Sequence, residues 1–108
     1  MTKAQERRRE RWAQALESGA YTQITGKLRS VEGYCALGVG CDLYVKAHHG
    51  GLDWQQVDPF NWGLGRGVGI MPAEVARWYG LNGYMMSAIS SLNDVGTPFA
   101  AIAARVRQ

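Results

Sequence analysis

A small, mainly α-helical single domain spanning residues 1–108, with at most a short β-hairpin near 21–31, is the fold class this sequence predicts. Three observations carry it. Apolar residues run almost unbroken for twelve positions from Tyr34, too long for an ordinary strand. Within that run Leu37, Cys41 and Tyr44 share one helical face and Ala36, Val39 and Leu43 share the next, the pattern of a helix covered nearly all round. Several other segments carry apolar residues at the helical period and end in helix-stopping residues. With 46% hydrophobic and 19% charged residues, the chain can bury one core and lacks the composition of a disordered protein.

Thr2 is placed to cap a first helix that runs to Ser18 and stops at Gly19. Its apolar face, Trp12, Ala15 and Leu16, begins only in the second half, so residues 1–11 are expected to project as basic helix turns. Residues 21–31, with Gly26-Lys27 inside them, read as the hairpin. The central helix follows over 34–47. Gly38 and Gly40 each cost roughly 1 kcal/mol against Ala inside a helix, which predicts another backbone crossing closely there. His48-His-Gly-Gly51 ends this helix, and 52–70 is a glycine- and aromatic-rich loop in which Trp54, Phe60 and Trp62 are expected to act as anchors. Pro72 at a first helical position opens a helix through Tyr79 that Gly80 closes. Residues 84–92 make the next helix, closed by Asn93-Asp-Val-Gly96. Thr97 as cap and Pro98 at the first position launch the last, with Phe99, Ile102, Ala103 and Val106 inward.

The charge is unevenly placed. All of the net +3 lies in residues 1–34, where seven Lys/Arg face four acids. The candidate binding residues for a partner or a phosphate are therefore Arg7, Arg8, Arg9, Arg11, Lys27 and Arg29. Glu6 and Glu10 are interleaved with the arginines, so the plain alternative is a solvated helix. A second candidate is Gly63-Leu-Gly-Arg-Gly-Val-Gly69, where loop amides and Arg66 would meet an anion and Trp62 would stack on a base; it lacks the Lys-Ser/Thr of a phosphate loop, and the plain reading is a connector.

Catalytic chemistry finds little support. Cys35 near a helix start, with Asp42, His48 and His49 downstream, has the residue types of a cysteine hydrolase. Thirteen residues of helix would hold Cys35 and His48 about 20 Å apart, too far to share a proton. The spacing Cys-x5-Cys-x6-His-His also misses the usual zinc pattern, so Cys35 and Cys41 read as free core thiols of a reducing compartment. No catalytic residue, metal or cofactor is expected. The terminal 96–106 segment resembles the first helix of a helix-turn-helix, but only two residues follow Val106. With a polar N-terminus and no run of eighteen apolar residues, a cytoplasmic protein without a membrane partner is expected.

The combination Trp12..Ala15-Leu16..Gly19..Tyr21, Tyr34-Cys35..Leu37-Gly38-Val39..Cys41-Asp42-Leu43, Met71-Pro72..Val75..Trp78..Gly80-Leu81 and Leu92-Asn93-Asp94..Gly96 resembles a group of small proteins encoded by tailed bacteriophages and prophages. That group usually has a second Cys at the place of Ala36 and a large aliphatic at the place of Gly40. The resemblance implies a phage source and a bacterial host cytoplasm, with no activity attached. Together with the lack of a catalytic set, it leads to the expectation of a non-enzymatic binding protein acting on a host or defence protein, with a nucleic-acid or nucleotide binder as the alternative and an enzyme third.

Overall fold

A computed structural model of the chain describes residues 1–48, 54 and 71–108. Among them are five helices and one short antiparallel hairpin: α1 (Lys3–Glu17), β1 (Arg29–Ser30), β2 (Gly33–Tyr34), α2 (Ala36–Ala47), α3 (Ala73–Tyr79), α4 (Gly83–Asp94) and α5 (Phe99–Arg107). The fold is mainly α with a short hairpin. Arg29 pairs with Tyr34 and Ser30 with Gly33, so the hairpin overlaps only the end of the expected 21–31 stretch. Residues 22–24 run beside β2 instead, with Tyr34 N–H donating to Thr22 O at 2.8 Å and Ile24 N–H to Tyr34 O at 2.9 Å.

Cap chemistry explains the helix ends. Thr2 accepts from Gln5 N–H while the Gln5 side chain accepts from Thr2 N–H, a reciprocal box that opens α1. Ser18 ends α1 and Gly19 turns away at φ 78°. Asn82 caps α4 through Met85 N–H, a signal the sequence reading passed over. Pro72 and Pro98 each stand one place before the first helical residue, so Thr97 is not the cap of α5. Asn93 and Asp94 belong to the last turn of α4 rather than to its exit.

The core sits where α1 and α2 cross. Trp12 is fully buried, donates its indole N–H to Ala36 O at 3.0 Å and lies 4.7 Å from the Tyr79 ring. Tyr79 in turn donates its hydroxyl to Gly40 O at 2.6 Å, tying α3 to α2. Eight of the twelve residues of α2 are buried, as a helix covered nearly all round should be. The two glycines make room for different neighbours. A Cβ on Gly38 would fall 1.7 Å from Leu28 O, so a backbone does cross there, whereas one on Gly40 would meet the Trp12 ring at 2.9 Å and Met71 at 3.0 Å. A large aliphatic at the Gly40 position is therefore incompatible with this placement of Trp12. Ile102, Ala103, Val106 and Phe99 bury the face of α5 that the sequence predicted, and α5 lies most extensively on α1.

Candidate functional site

The first turns of α1 do not project. The last carbonyls of a helix lack the usual intrahelical partners; at the end of α3 Gly80 N–H reaches Arg77 O at 3.1 Å, and three α1 side chains donate to the carbonyls of Arg77, Trp78, Tyr79 and Gly80. Gln5 Nε2 donates to Arg77 O at 3.0 Å, Arg8 Nη1 to Trp78 O at 2.8 Å, and Arg9 Nε to Tyr79 O at 2.8 Å with its Nη2 on Gly80 O. Arg9 is buried, and that burial lowers its guanidinium pKa from the ordinary value. A guanidinium still carries its charge under such conditions, and here it faces the negative end of a helix. Arg8 and Arg9 are thus capping residues of α3. The reading of residues 1–11 as a projecting arm fails because an apolar count along α1 gives no weight to cations that pair with backbone oxygen.

What remains exposed on α1 carries both signs side by side. At 3.6 residues per turn, Lys3, Arg7 and Arg11 follow one another at intervals of four, and Glu6, Glu10 and Glu17 run directly alongside, so that Lys3, Arg7, Glu6 and Glu10 border one depression. Arg107 of α5 lies across two of these glutamates, with Nε 2.9 Å from Glu10 and Nη1 2.7 Å from Glu17. These bonds hold both carboxyls below their usual range. No carboxylate among the described residues pairs with Lys3, Arg7 or Arg11. The interleaved glutamates therefore stay beside Lys3 and Arg7, but Arg107 takes up Glu10, which leaves cations in excess there. Lys27 and Arg29 lie elsewhere: Lys27 borders a shallow depression with Ser30 and Glu32, and the Arg29 guanidinium sits 4.5 Å from the Trp54 ring centroid. The six predicted cations consequently form no single patch.

Beside Arg11, α1, α2 and α3 enclose a groove of about 240 Å³. Arg8, Arg11 and Lys46 stand around it, and Leu43, Ala47 and Trp78 supply apolar surface. The Trp78 ring is held rather than free, with the Arg8 guanidinium 4.6 Å from its centroid and Tyr44 edge-on at 5.2 Å. Lys46 and Trp78 escaped the sequence reading because their meeting depends on how α2 crosses α3. Helical spacing alone could have placed Lys46 beside Leu43.

The expected thiol and metal constellations are drawn apart. Cys35 caps α2, its sulfur accepting from Gly38 N–H at 3.4 Å, and His48 stands at the other end of the same helix with Nδ1 2.7 Å from Tyr44 O. Burial pushes the Cys35 thiol up to about 11, the opposite of an activated nucleophile. Asp42 has a structural setting as well. Burial raises its carboxyl pKa, but bonds from Tyr21 at 2.6 Å, Lys46 at 2.9 Å and Trp54 at 3.1 Å outweigh that and leave it below its ordinary value. Trp54 is itself buried, which makes it the anchor expected of it. His49, Phe60, Trp62, Arg66 and the loop Gly63–Gly69 lie outside the described residues. No helix among the described residues is long and apolar enough to cross a membrane.

A family model described as a domain of unknown function, DUF8296, matches residues 4–108, and the chain belongs to that family. No curated protein and no solved structure matches it.

Proposed function

We propose that this is a non-enzymatic binding protein, encoded by a bacteriophage, that acts in the host cytoplasm by covering an acidic face of a host or defence protein. The observation that carries the reading is the set of exposed cations on α1 that no carboxylate among the described residues takes up. Arg107 occupies Glu10 and Glu17, while Lys3, Arg7 and Arg11 stay exposed beside them with no carboxylate partner among the described residues. An excess of exposed cations of this kind steers an anionic partner and selects against basic ones. The phage source rests on the sequence resemblance. The non-enzymatic part is supported by a thiol held protonated and by separated ends of the Cys35 and His48 pair.

Nucleic acid is the competing partner, and it is favoured by the same three exposed cations. The two separate by salt and nuclease. A tagged full-length chain should retain a protein from a nuclease-treated host lysate, and the Lys3→Gln, Arg7→Gln, Arg11→Gln triple variant should lose it through slower association. Capture that disappears with nuclease, or an affinity for oligonucleotides falling with a log–log salt slope near −2 to −3, would give the role to nucleic acid instead.

A further inference from the structure

We infer that the groove between α1, α2 and α3 is the recognition pocket of this protein, and that it takes an acidic peptide segment carrying an apolar side chain between its carboxylates. The inference rests on the acidic-partner reading above and adds where and how that partner is read. Three features argue for this occupant. First, the rim carries Arg8, Arg11 and Lys46, and no carboxylate lines the groove among the described residues. Lys46 is held on the buried Asp42 at 2.9 Å and Arg8 gives one donor to Trp78 O, so Arg11 and the remaining donors of Arg8 are what a partner would meet, in a planar form suited to carboxylates. Second, Leu43, Ala47 and Trp78 offer apolar surface between those charges, with room for one aliphatic or aromatic side chain in about 240 Å³. Third, a nucleobase would need an open aromatic face. Arg8 lies over the Trp78 ring at 4.6 Å and the Tyr79, Tyr44 and His48 rings pack against it with centroids at 4.9, 5.2 and 5.7 Å, surroundings that favour van der Waals contact over base stacking.

The pocket is also firmly built. Arg8 is fixed by its bond to Trp78 O at 2.8 Å, and both belong to the cap that joins α1 to α3, so rim and floor are positioned before a partner arrives. The test uses the full-length protein labelled for nuclear magnetic resonance and three probes: a capped peptide alternating aspartate with leucine, the same peptide with serine in place of leucine, and an oligothymidylate of equal charge. The leucine peptide should shift the Trp78 indole and the Ala47 and Arg11 amides, and bind at least tenfold more tightly than the serine peptide. Ala47→Glu, an exposed change that places a carboxylate in the groove, should weaken it at least tenfold with an unchanged thermal midpoint; Arg11→Glu serves the same end should Ala47→Glu not fold. Equal binding of both peptides, no effect of either variant, or stronger shifts of the same signals by oligothymidylate would each overturn the assignment. If it is overturned while the Lys3, Arg7 and Arg11 variant still loses a captured protein, the acidic-partner reading stands and only the groove falls.

Discussion

Asn93 is one of three buried polar side chains among the described residues, with Arg9 and Asp42. It is 1% exposed, its Oδ1 accepts from Ala36 N–H and from Gln23 Nε2, each at 3.1 Å, and its Nδ2 donates to Ile24 O at 2.8 Å. One amide thus joins α4, the first turn of α2 and the segment beside the hairpin. Asn93→Ala should cost at least about 2 kcal/mol, because buried groups left unsatisfied cost about 1–3 kcal/mol each, and urea denaturation would read it as a lower midpoint at unchanged slope. Gly38 makes an equally sharp case. Gly38→Ala should lose more than the roughly 1–3 kcal/mol of ordinary overpacking, since the clash is with the Leu28 backbone, which cannot rotate away. Gly83→Ala is the control: its added Cβ meets nothing within 4 Å, so it should leave the midpoint unchanged or raise it slightly. Gly38, Asp42 and Asn93 all belong to the motifs behind the phage-protein resemblance, and all three serve the packing of the fold.

At the scale of elements, α1 behaves as two structures in one. Its inner and N-terminal side chains close α3, and its outer edge presents charge. Arg9→Ala should therefore destabilise the protein by about 2–3 kcal/mol, the range for a charged hydrogen bond removed from a buried acceptor. Arg7→Gln and Arg11→Gln should stay within about 0.5 kcal/mol, as exposed substitutions do. Thermal melts of the single variants would refute the capping role if Arg9 and Arg7 gave the same shift. Sequence could reveal the helices because a period of 3.6 and cap residues such as Thr2, Gly19 and Gly80 are local properties. It could not reveal which arginines are held, because the carbonyls that hold Arg8 and Arg9 are seventy residues away and every residue has a carbonyl. The surplus of exposed cations was half legible: the four-residue spacing of Lys3, Arg7 and Arg11 is in the sequence, but the role of Arg107 in taking up Glu10 and Glu17 depends on where α5 lies. The groove was not legible at all, since its walls come from three helices whose crossings only the packed core defines.

Titration links these local arrangements to the behaviour of the whole molecule. On the acid side, Asp42, Glu10 and Glu17 have folded pKa values below their ordinary ones. Their contribution is complete above an unfolded carboxyl pKa of about 4 and is lost as pH falls through the folded values. The two glutamates are exposed, so molar salt should remove most of their share while leaving that of buried Asp42. On the alkaline side the sign reverses. Cys35 is raised from 9.0 to about 11 by burial, and Tyr21 to about 12 by burial and by its bond to Asp42. A group with a raised folded pKa stabilises fully below its unfolded pKa and loses that contribution as pH climbs through the folded value. Stability should accordingly be level between about pH 5 and 8, with Cys35 opening the alkaline decline from about 9 and Tyr21 extending it above about 10. A two-unit rise at a buried thiol corresponds to about 3 kcal/mol, large against the roughly 5–15 kcal/mol of a whole domain. Cys35→Ser isolates this contribution, because serine is a favoured helix cap and does not ionise in that range. Denaturant midpoints measured every half unit from pH 8 to 11 should fall steadily for the parent chain. In Cys35→Ser the fall should be shallower than in the parent chain, because one of the two buried thiols is gone, and should steepen above about pH 10, where the Tyr21 phenol begins to titrate in the unfolded state. Parallel curves for the two proteins would mean that the Cys35 thiol is not held protonated by the fold, and would return it to consideration as a reactive group.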